Sequence, residues 1–370
     1  MDWSVKYVDL EKNYNNYKVE LNSVFERILT NGAFILRDDV LKFEENIAKR
    51  LNTKFAVGVN SGTDALYLAC KVAGISAGDE VITVGHTFVA TVAAIHHCEA
   101  SPILIDIKDD FNIDETKIEE RITKNTKAII PVHLNGRSCN MDKILAIANK
   151  YDLVIIEDCA QSVGAKFKDK FAGTFGDFGC FSLHPMKSLN CAGDGGYIVT
   201  DNESYYKRLI SIRNHGQSAD KTDITEYGYS SRLDNLQAAI VDIKLNDLDK
   251  NNNIRRNIAM RYNNGLKDLP IKTPKKPEEN SDFFDVFNSY VIRTSSDQRD
   301  KLVNYLRENG IEVFVHIHKP LCCYTALGLE GNDLSSNEEI CREILSLPIY
   351  PELSEDKVNF VISKIVEFYK

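Results

Sequence analysis

Between residues 55 and 200, short apolar runs alternate with segments of helical periodicity. This pattern constrains the fold more than any other feature. Runs at 55–59, 81–84, 103–105, 128–132, 153–156, 178–183 and 197–200 read as strands, and 63–72, 88–97 and 141–150 read as helices, with Gly74 stopping the first of these. The strands are short and almost continuously apolar, so both their faces are buried, as in a mostly parallel sheet flanked by helices. Beyond it, 233–266 is helical with polar breaks, and 270–280 is a solvated loop rich in Pro, Lys and Glu. A strand at 289–292, a helix at 297–309, a strand at 311–316 and a helix at 355–369 follow. A chain of 370 residues exceeds one small core. The expectation is an α/β fold with a large domain over 1–248, including an N-terminal segment, and a smaller C-terminal α+β domain over 249–370.

Lys+Arg 45 against Asp+Glu 54 gives a net charge of −9, which argues against a general nucleic-acid surface but leaves room for a local basic pocket. Nine cysteines without a C-x-x-C pair, several inside apolar runs, read as reduced thiols. The Cys322-Cys323 pair lacks zinc-type neighbours, so no metal is expected. The first residues carry charge where a secretory signal would be apolar, and the longest weakly polar stretch, 81–95, is too short to span a bilayer. The expectation is a cytoplasmic protein with no membrane partner.

In parallel sheets, ligands bind beyond the carboxyl ends of the strands. Asn60-Ser61-Gly62-Thr63-Asp64-Ala65 joins a strand to a helix there, and its backbone N–H groups and helix dipole suit an anion. Alone it reads equally well as an ordinary N-cap. Glu157-Asp158-Cys159-Ala160-Gln161 ends a later run in an acid, which could also be a helix cap. Lys187 follows the run at 178–183 in Ser182-Leu183-His184-Pro185-Met186-Lys187, ahead of Gly193-Asp194-Gly195-Gly196. Taken singly, Lys187 reads as solvated, His184 as packed, Phe88 as core and Ser182 as a backbone partner. A strand-end carboxylate and a later amine are, however, the two poles needed by pyridoxal phosphate: the amine holds the aldehyde and the acid keeps the pyridine nitrogen protonated.

The order of these segments resembles the DegT/DnrJ/EryC1/StrS family, the sugar aminotransferase branch of the fold-type I pyridoxal phosphate enzymes. The similarity runs through Gly32-Ala33-Phe34, Asn60 to Leu66, Gly78-Asp79-Glu80, Thr87-Phe88, Ile130 to Gly136, the segments at Asp158 and Lys187, Arg213-Asn214-His215-Gly216, Ser231 to Ala239 and Leu345 to Pro348. It implies that Lys187 and Asp158 are catalytic, that Gln161 contacts the ring hydroxyl, and that Phe88 lies against the ring. Gly62, Thr63, Asp64 and Ser182 would hold the phosphate. Ser230 stands where many relatives have an Asn that reaches the partner subunit's phosphate. His184, Arg232 and His316 are substrate candidates, although Ile317, His318 and Cys322 depart from the family wording. Arg232 and Arg213 could supply positive charge or serve as structural ion-pair residues.

The resemblance further implies a homodimer that moves an amino group from L-glutamate to a nucleotide-linked keto-deoxysugar. Carbon 3 is favoured over carbon 4, and the product would serve surface glycans such as lipopolysaccharide, or a glycosylated metabolite. Alternatives are a dehydratase of the same fold, against which Lys187 argues because such relatives carry His, and a non-catalytic cofactor-binding regulator.

Overall fold

A computed structural model describes residues 3–279, 281–329 and 334–370, so Asn280 of the expected loop lies outside the described residues. The strands are β1 (Phe55–Val59), β2 (Glu80–Val84), β3 (Ser101–Ile105), β4 (Thr126–Ile129), β5 (Val154–Asp158), β6 (Lys166–Phe167), β7 (Lys170–Phe171), β8 (Phe178–Ser182), β9 (Gly196–Thr200), β10 (Phe283–Phe284), β11 (Tyr290–Arg293) and β12 (Ile344–Leu347). The helices are α1 (Leu10–Asn16), α2 (Lys18–Asn31), α3 (Asp38–Leu51), α4 (Gly62–Val72), α5 (Ala90–His97), α6 (Met141–Tyr151), α7 (Glu203–Ile212), α8 (Asn235–Leu245), α9 (Leu248–Leu266), α10 (Ser296–Glu308), α11 (Ser335–Glu343) and α12 (Glu355–Phe368). Among the described residues, no helix is long and apolar enough to cross a membrane.

Seven strands form one sheet in the order β1-β9-β8-β5-β4-β2-β3. Only β9 runs against the rest, pairing antiparallel with both β1 and β8. The other pairings are parallel. The sheet is thus mostly parallel and mixed, the fold-type I arrangement expected from sequence. Its topology positions the site: β1, β2, β5 and β8 all end at one edge, and the connection from β8 to β9 turns there, carrying Lys187. Apolar side chains of α3, α8, α4, α5 and α6 cover the two faces. A further core gathers Val5, α9, α10, α12, β11 and β12.

Three expectations change. The strand expected over 311–316 does not form; the segment makes only the single bridges Val5↔Ile311 and Phe314↔Ser346. Its apolar residues contact two different partners in succession, which breaks any continuous ladder. The helix expected from Phe88 starts at Ala90, which leaves Phe88 free of the helix and exposed. The stretch at 233–266 is two helices, α8 and α9.

Candidate active site

Asp158 closes β5 and is 5% exposed. One carboxylate oxygen accepts the Ala160 N–H at 3.1 Å, and the other accepts the Thr91 hydroxyl at 2.9 Å. Thr91 sits on α5 and is in turn 3.0 Å from the Thr87 hydroxyl. Burial pushes the Asp158 carboxyl above its ordinary value, against the pull of these two donors and of the Lys187 charge. Burial likewise pushes the Lys187 amine below its ordinary value, partly offset by Asp158. The two groups therefore feel each other, and both line one cavity of about 930 Å³. The Lys187 turn is fixed on both sides. Its N–H donates to the His184 carbonyl at 2.8 Å, its carbonyl accepts the Asn190 amide at 2.9 Å, and the next residue's N–H donates to Asn288 at 3.1 Å.

At the end of β1, Ser61 caps α4 by accepting the Asp64 N–H at 3.0 Å. Asp64 thus spends its N–H inside the chain, and its carboxylate accepts the Ser231 hydroxyl at 2.6 Å. The N–H groups of Gly62 and Thr63, in the first turn, have no acceptor among the described residues. A Cβ on Gly62 would sit 2.7 Å from Ser182 Cβ, so glycine lets the end of β8 close onto the helix start. Gly196 is tighter, since a Cβ there would meet the Ser61 carbonyl carbon at 2.4 Å and the Gly62 nitrogen at 2.7 Å. Two glycines therefore bring Ser182 and the two unpaired N–H groups together.

Gly62, Thr63, Phe88, Asp158, Gln161, Ser182, His184, Lys187 and His316 all line the cavity; Asp64, Ser230 and Arg232 do not. Gln161 accepts the Asn135 N–H at 2.9 Å. Phe88, 70% exposed, is a wall residue and not part of the core. His316 Nε2 lies 2.8 Å from the Tyr7 hydroxyl, and burial, reinforced by the Lys187 charge, lowers the His316 imidazole to about 4. Arg232 donates to Ser230 at 3.0 Å and to Asn214 at 3.3 Å, on the segment leading into α8. Arg213 pairs with Glu44 and donates to the Gly58 carbonyl at 2.8 Å, away from the cavity, which favours its structural reading.

Sequence reasoning did not single out several residues here. Tyr7 and Arg255 line the cavity, and Thr91 holds Asp158. Beneath Asp158, buried His133 lies 2.8 Å from Glu157, whose carboxylate also accepts the N–H groups of Gly173, Phe175 and Gly176. His133, Glu157 and Cys159 stand close enough to hold a metal ion. Two of the three are already engaged: Glu157 takes four donors, and His133 Nδ1 accepts the Cys139 N–H at 2.9 Å. The cluster reads as a hydrogen-bonded brace for β5.

The residues present fit a phosphorylated pyridine aldehyde. A buried carboxylate without a cationic hydrogen-bond partner suits a protonated ring nitrogen, and an amine of lowered basicity suits an aldehyde. Two unpaired N–H groups beside a serine suit the phosphate. Fold and site together define a fold-type I pyridoxal phosphate transferase. Residues 15–366 match the DegT/DnrJ/EryC1/StrS aminotransferase family, and the chain belongs to it. It is a sugar aminotransferase that uses pyridoxal 5′-phosphate. The chain is 38% identical to a pleiotropic regulatory protein of Geobacillus stearothermophilus, covering 99% of both. It is also 38% identical to dTDP-3-amino-3,6-dideoxy-alpha-D-galactopyranose transaminase of Aneurinibacillus thermoaerophilus, covering 98% of both. The solved structure of S. venezuelae DesV in complex with a ketimine intermediate superposes with a TM-score of 0.94 at 35% identity, over 99% of this chain and 98% of that one.

Proposed function

We propose that this enzyme moves an amino group from L-glutamate to carbon 3 of a nucleotide-linked keto-deoxysugar. The observation that carries the reading is the pairing of Asp158 and Lys187 in one cavity, each with its charged form weakened by burial and strengthened by the other. The 3-amino sugar in the name of the Aneurinibacillus relative supports carbon 3 over carbon 4. Pyridoxal phosphate, when bound, supplies an aldehyde for the amine and a ring that withdraws electrons. Asp158 holds the proton on the ring nitrogen. Lys187 would hold the cofactor's aldehyde through its amine and would take and return a proton at the carbon that bears the transferred amine. Its lowered basicity suits both directions of transfer. Gly62, Thr63 and Ser182 would hold the phosphate, with Phe88 and Gln161, which also line the cavity, against the ring.

The active form is a homodimer in this reading. Val19, Phe25, Leu29, Phe34, Ile35 and Leu41 are large, apolar and exposed on the N-terminal helices and the segment joining them, which suits a covered face. Ser230 and Arg232, which do not line the cavity of their own chain, are the residues this reading assigns to the partner's. A nucleotide-linked amino sugar is a glycosyl donor, so a glycosyl-transfer reaction, for a surface glycan or a glycosylated metabolite, consumes the product. The Geobacillus relative's name suggests regulation, but an amine and an acid poised in one cavity favour turnover.

The test is the visible spectrum of the holoenzyme before and after L-glutamate. The wild type bleaches, and Lys187→Ala loses both the lysine-linked absorbance and the bleaching. A Lys187→Ala protein with an unchanged spectrum and response would sink the assignment. Matched 3-keto and 4-keto sugar nucleotides then decide the carbon.

A further inference from the structure

Lys244 lies on α8, is 9% exposed and does not line the cavity. Its Nζ donates to the side-chain oxygen of Asn190 at 2.6 Å and to that of Asn13 at 2.9 Å. Among the described residues no carboxylate lies within ion-pair distance of it. Burial lowers its basicity to about 8, against the opposing pull of Cys191 and Glu352. A buried amine whose partners are amide oxygens is costly, and an apolar side chain would pack α8 at less cost. The reason for an amine here lies in what its two bonds hold.

Asn13 belongs to α1 and gives its own amide N–H to Glu352 at 3.0 Å, so that bond ties the N-terminal segment to the body of the chain. Asn190 leads elsewhere. It sits in the turn between β8 and β9, and its amide N–H donates to the Lys187 carbonyl at 2.9 Å. The amine at its oxygen decides which end of the amide faces Lys187, and a donor received at the oxygen strengthens the donor given at the nitrogen. Either protonation state serves, since a neutral amine still has two N–H bonds for two oxygens. The Lys187 carbonyl is thereby held from α8, while Asn288 holds the next residue's N–H. Lys187 has to meet an aldehyde and then carry a proton to a carbon, and such steps lose about a hundredfold for a shift of about 1 Å. We propose that Lys244 is a positioning residue of this enzyme: acting through Asn190, it fixes the main chain from which the Lys187 amine reaches its targets. This rests on the transaminase reading above and adds to its machinery a residue outside the cavity.

The test reads two rates by rapid mixing. The first is the growth of the lysine-linked absorbance when saturating pyridoxal phosphate is added to apoprotein, which needs no amino donor. The second is the bleaching of holoenzyme at saturating L-glutamate. Lys244→Met keeps a long side chain without its N–H groups and should slow both by about tenfold or more, and Asn190→Ala should do the same. The double variant should match the slower single one to within about twofold, because both substitutions cut one chain of bonds. Asn13→Ala removes only the α1 partner and should stay within about twofold of wild type in both rates, whatever its melting temperature. If the methionine variant does not fold, Asn190→Ala set against Asn13→Ala decides. Wild-type rates in a folded Lys244→Met or Asn190→Ala protein, losses that multiply in the double variant, or an Asn13→Ala protein as slow as Asn190→Ala overturns the proposal. A wild type that captures the cofactor through Lys187, and is slowed in that capture by these substitutions, yet is not bleached by L-glutamate would overturn the transaminase reading and leave the positioning role standing.

Discussion

Gly196→Ala tests how the phosphate cradle is built. Gly196 begins β9 directly against the turn into α4. An added Cβ would lie 2.4 Å from both the Ser61 carbonyl carbon and its oxygen, and 2.7 Å from the Gly62 nitrogen. These are backbone atoms, which cannot rotate aside. Ordinary carbon–carbon contact begins near ~3.5 Å, so β9 and the turn must part by roughly 1 Å. Overpacking of this kind costs about 2–3 kcal/mol, and each kcal/mol lowers the melting temperature of a chain this long by about 2–3 °C. The displaced turn carries the unpaired N–H groups of Gly62 and Thr63, so cofactor affinity should fall on the order of tenfold to a hundredfold. Gly32→Ala is the control: Gly32 has φ +63° but no atom within 4 Å of the new Cβ. It should cost about 1 kcal/mol through backbone strain alone and leave cofactor affinity unchanged. The assays are thermal melts of the apoprotein and fluorescence titration with pyridoxal phosphate. A Gly196→Ala protein with wild-type affinity would refute this account of the cradle, whatever its melting temperature.

Two further predictions concern charge. Asp158→Asn should weaken cofactor binding by about ten- to a hundredfold, the worth of a charge-assisted hydrogen bond, while raising the apoprotein's melting temperature at neutral pH. The sign follows from burial: a carboxyl held above its ordinary value opposes folding once it is ionised, so the stability it allows is full below about pH 4 and is lost as pH rises through the folded value. Variant and wild-type melting curves should converge in acid, and an apoprotein destabilised by the change at pH 7 would contradict this. Arg213→Met should destabilise by about 3–5 kcal/mol in denaturant titrations, because it strands the buried Glu44 carboxylate that also accepts the Gly58 N–H at 2.7 Å. A loss below about 1 kcal/mol would show that Glu44 finds another partner.

The central strands were legible because burial on both faces leaves a continuous apolar run, and the site was legible because a parallel sheet gathers its chemistry at strand ends. Asp158 closes an apolar run, Gly62 follows one at the start of α4, and Lys187 lies in the turn just beyond another. The helices α1 and α2 were not legible, for a physical reason. The first buries nothing and the second only Ile28, so no apolar stripe faces a core of the same chain. The Tyr7 to His316 contact joins positions 309 apart, and no local pattern encodes it. Arg255 did leave a trace. It shares the buried stripe of α9 with Leu248, Asn252, Ile258, Tyr262 and Leu266. A charged residue in phase with an apolar stripe is the signal that could have found it.

The cavity also explains how an acidic chain can serve anionic ligands. Net charge of −9 describes the whole surface, whereas binding depends on the few groups that face the ligand. Lys187, Arg255 and His316 line one cavity, and burial weakens the protonated form of each; Asp158 is likewise weakened as an anion. None of these groups has an ion partner within bonding distance among the described residues. In the reading proposed above, their unfavourable desolvation is relieved by ligand groups of matching charge, a phosphate and a protonated ring nitrogen among them. On that reading, complementarity to these charges, more than any surface potential, directs ligands to this cavity.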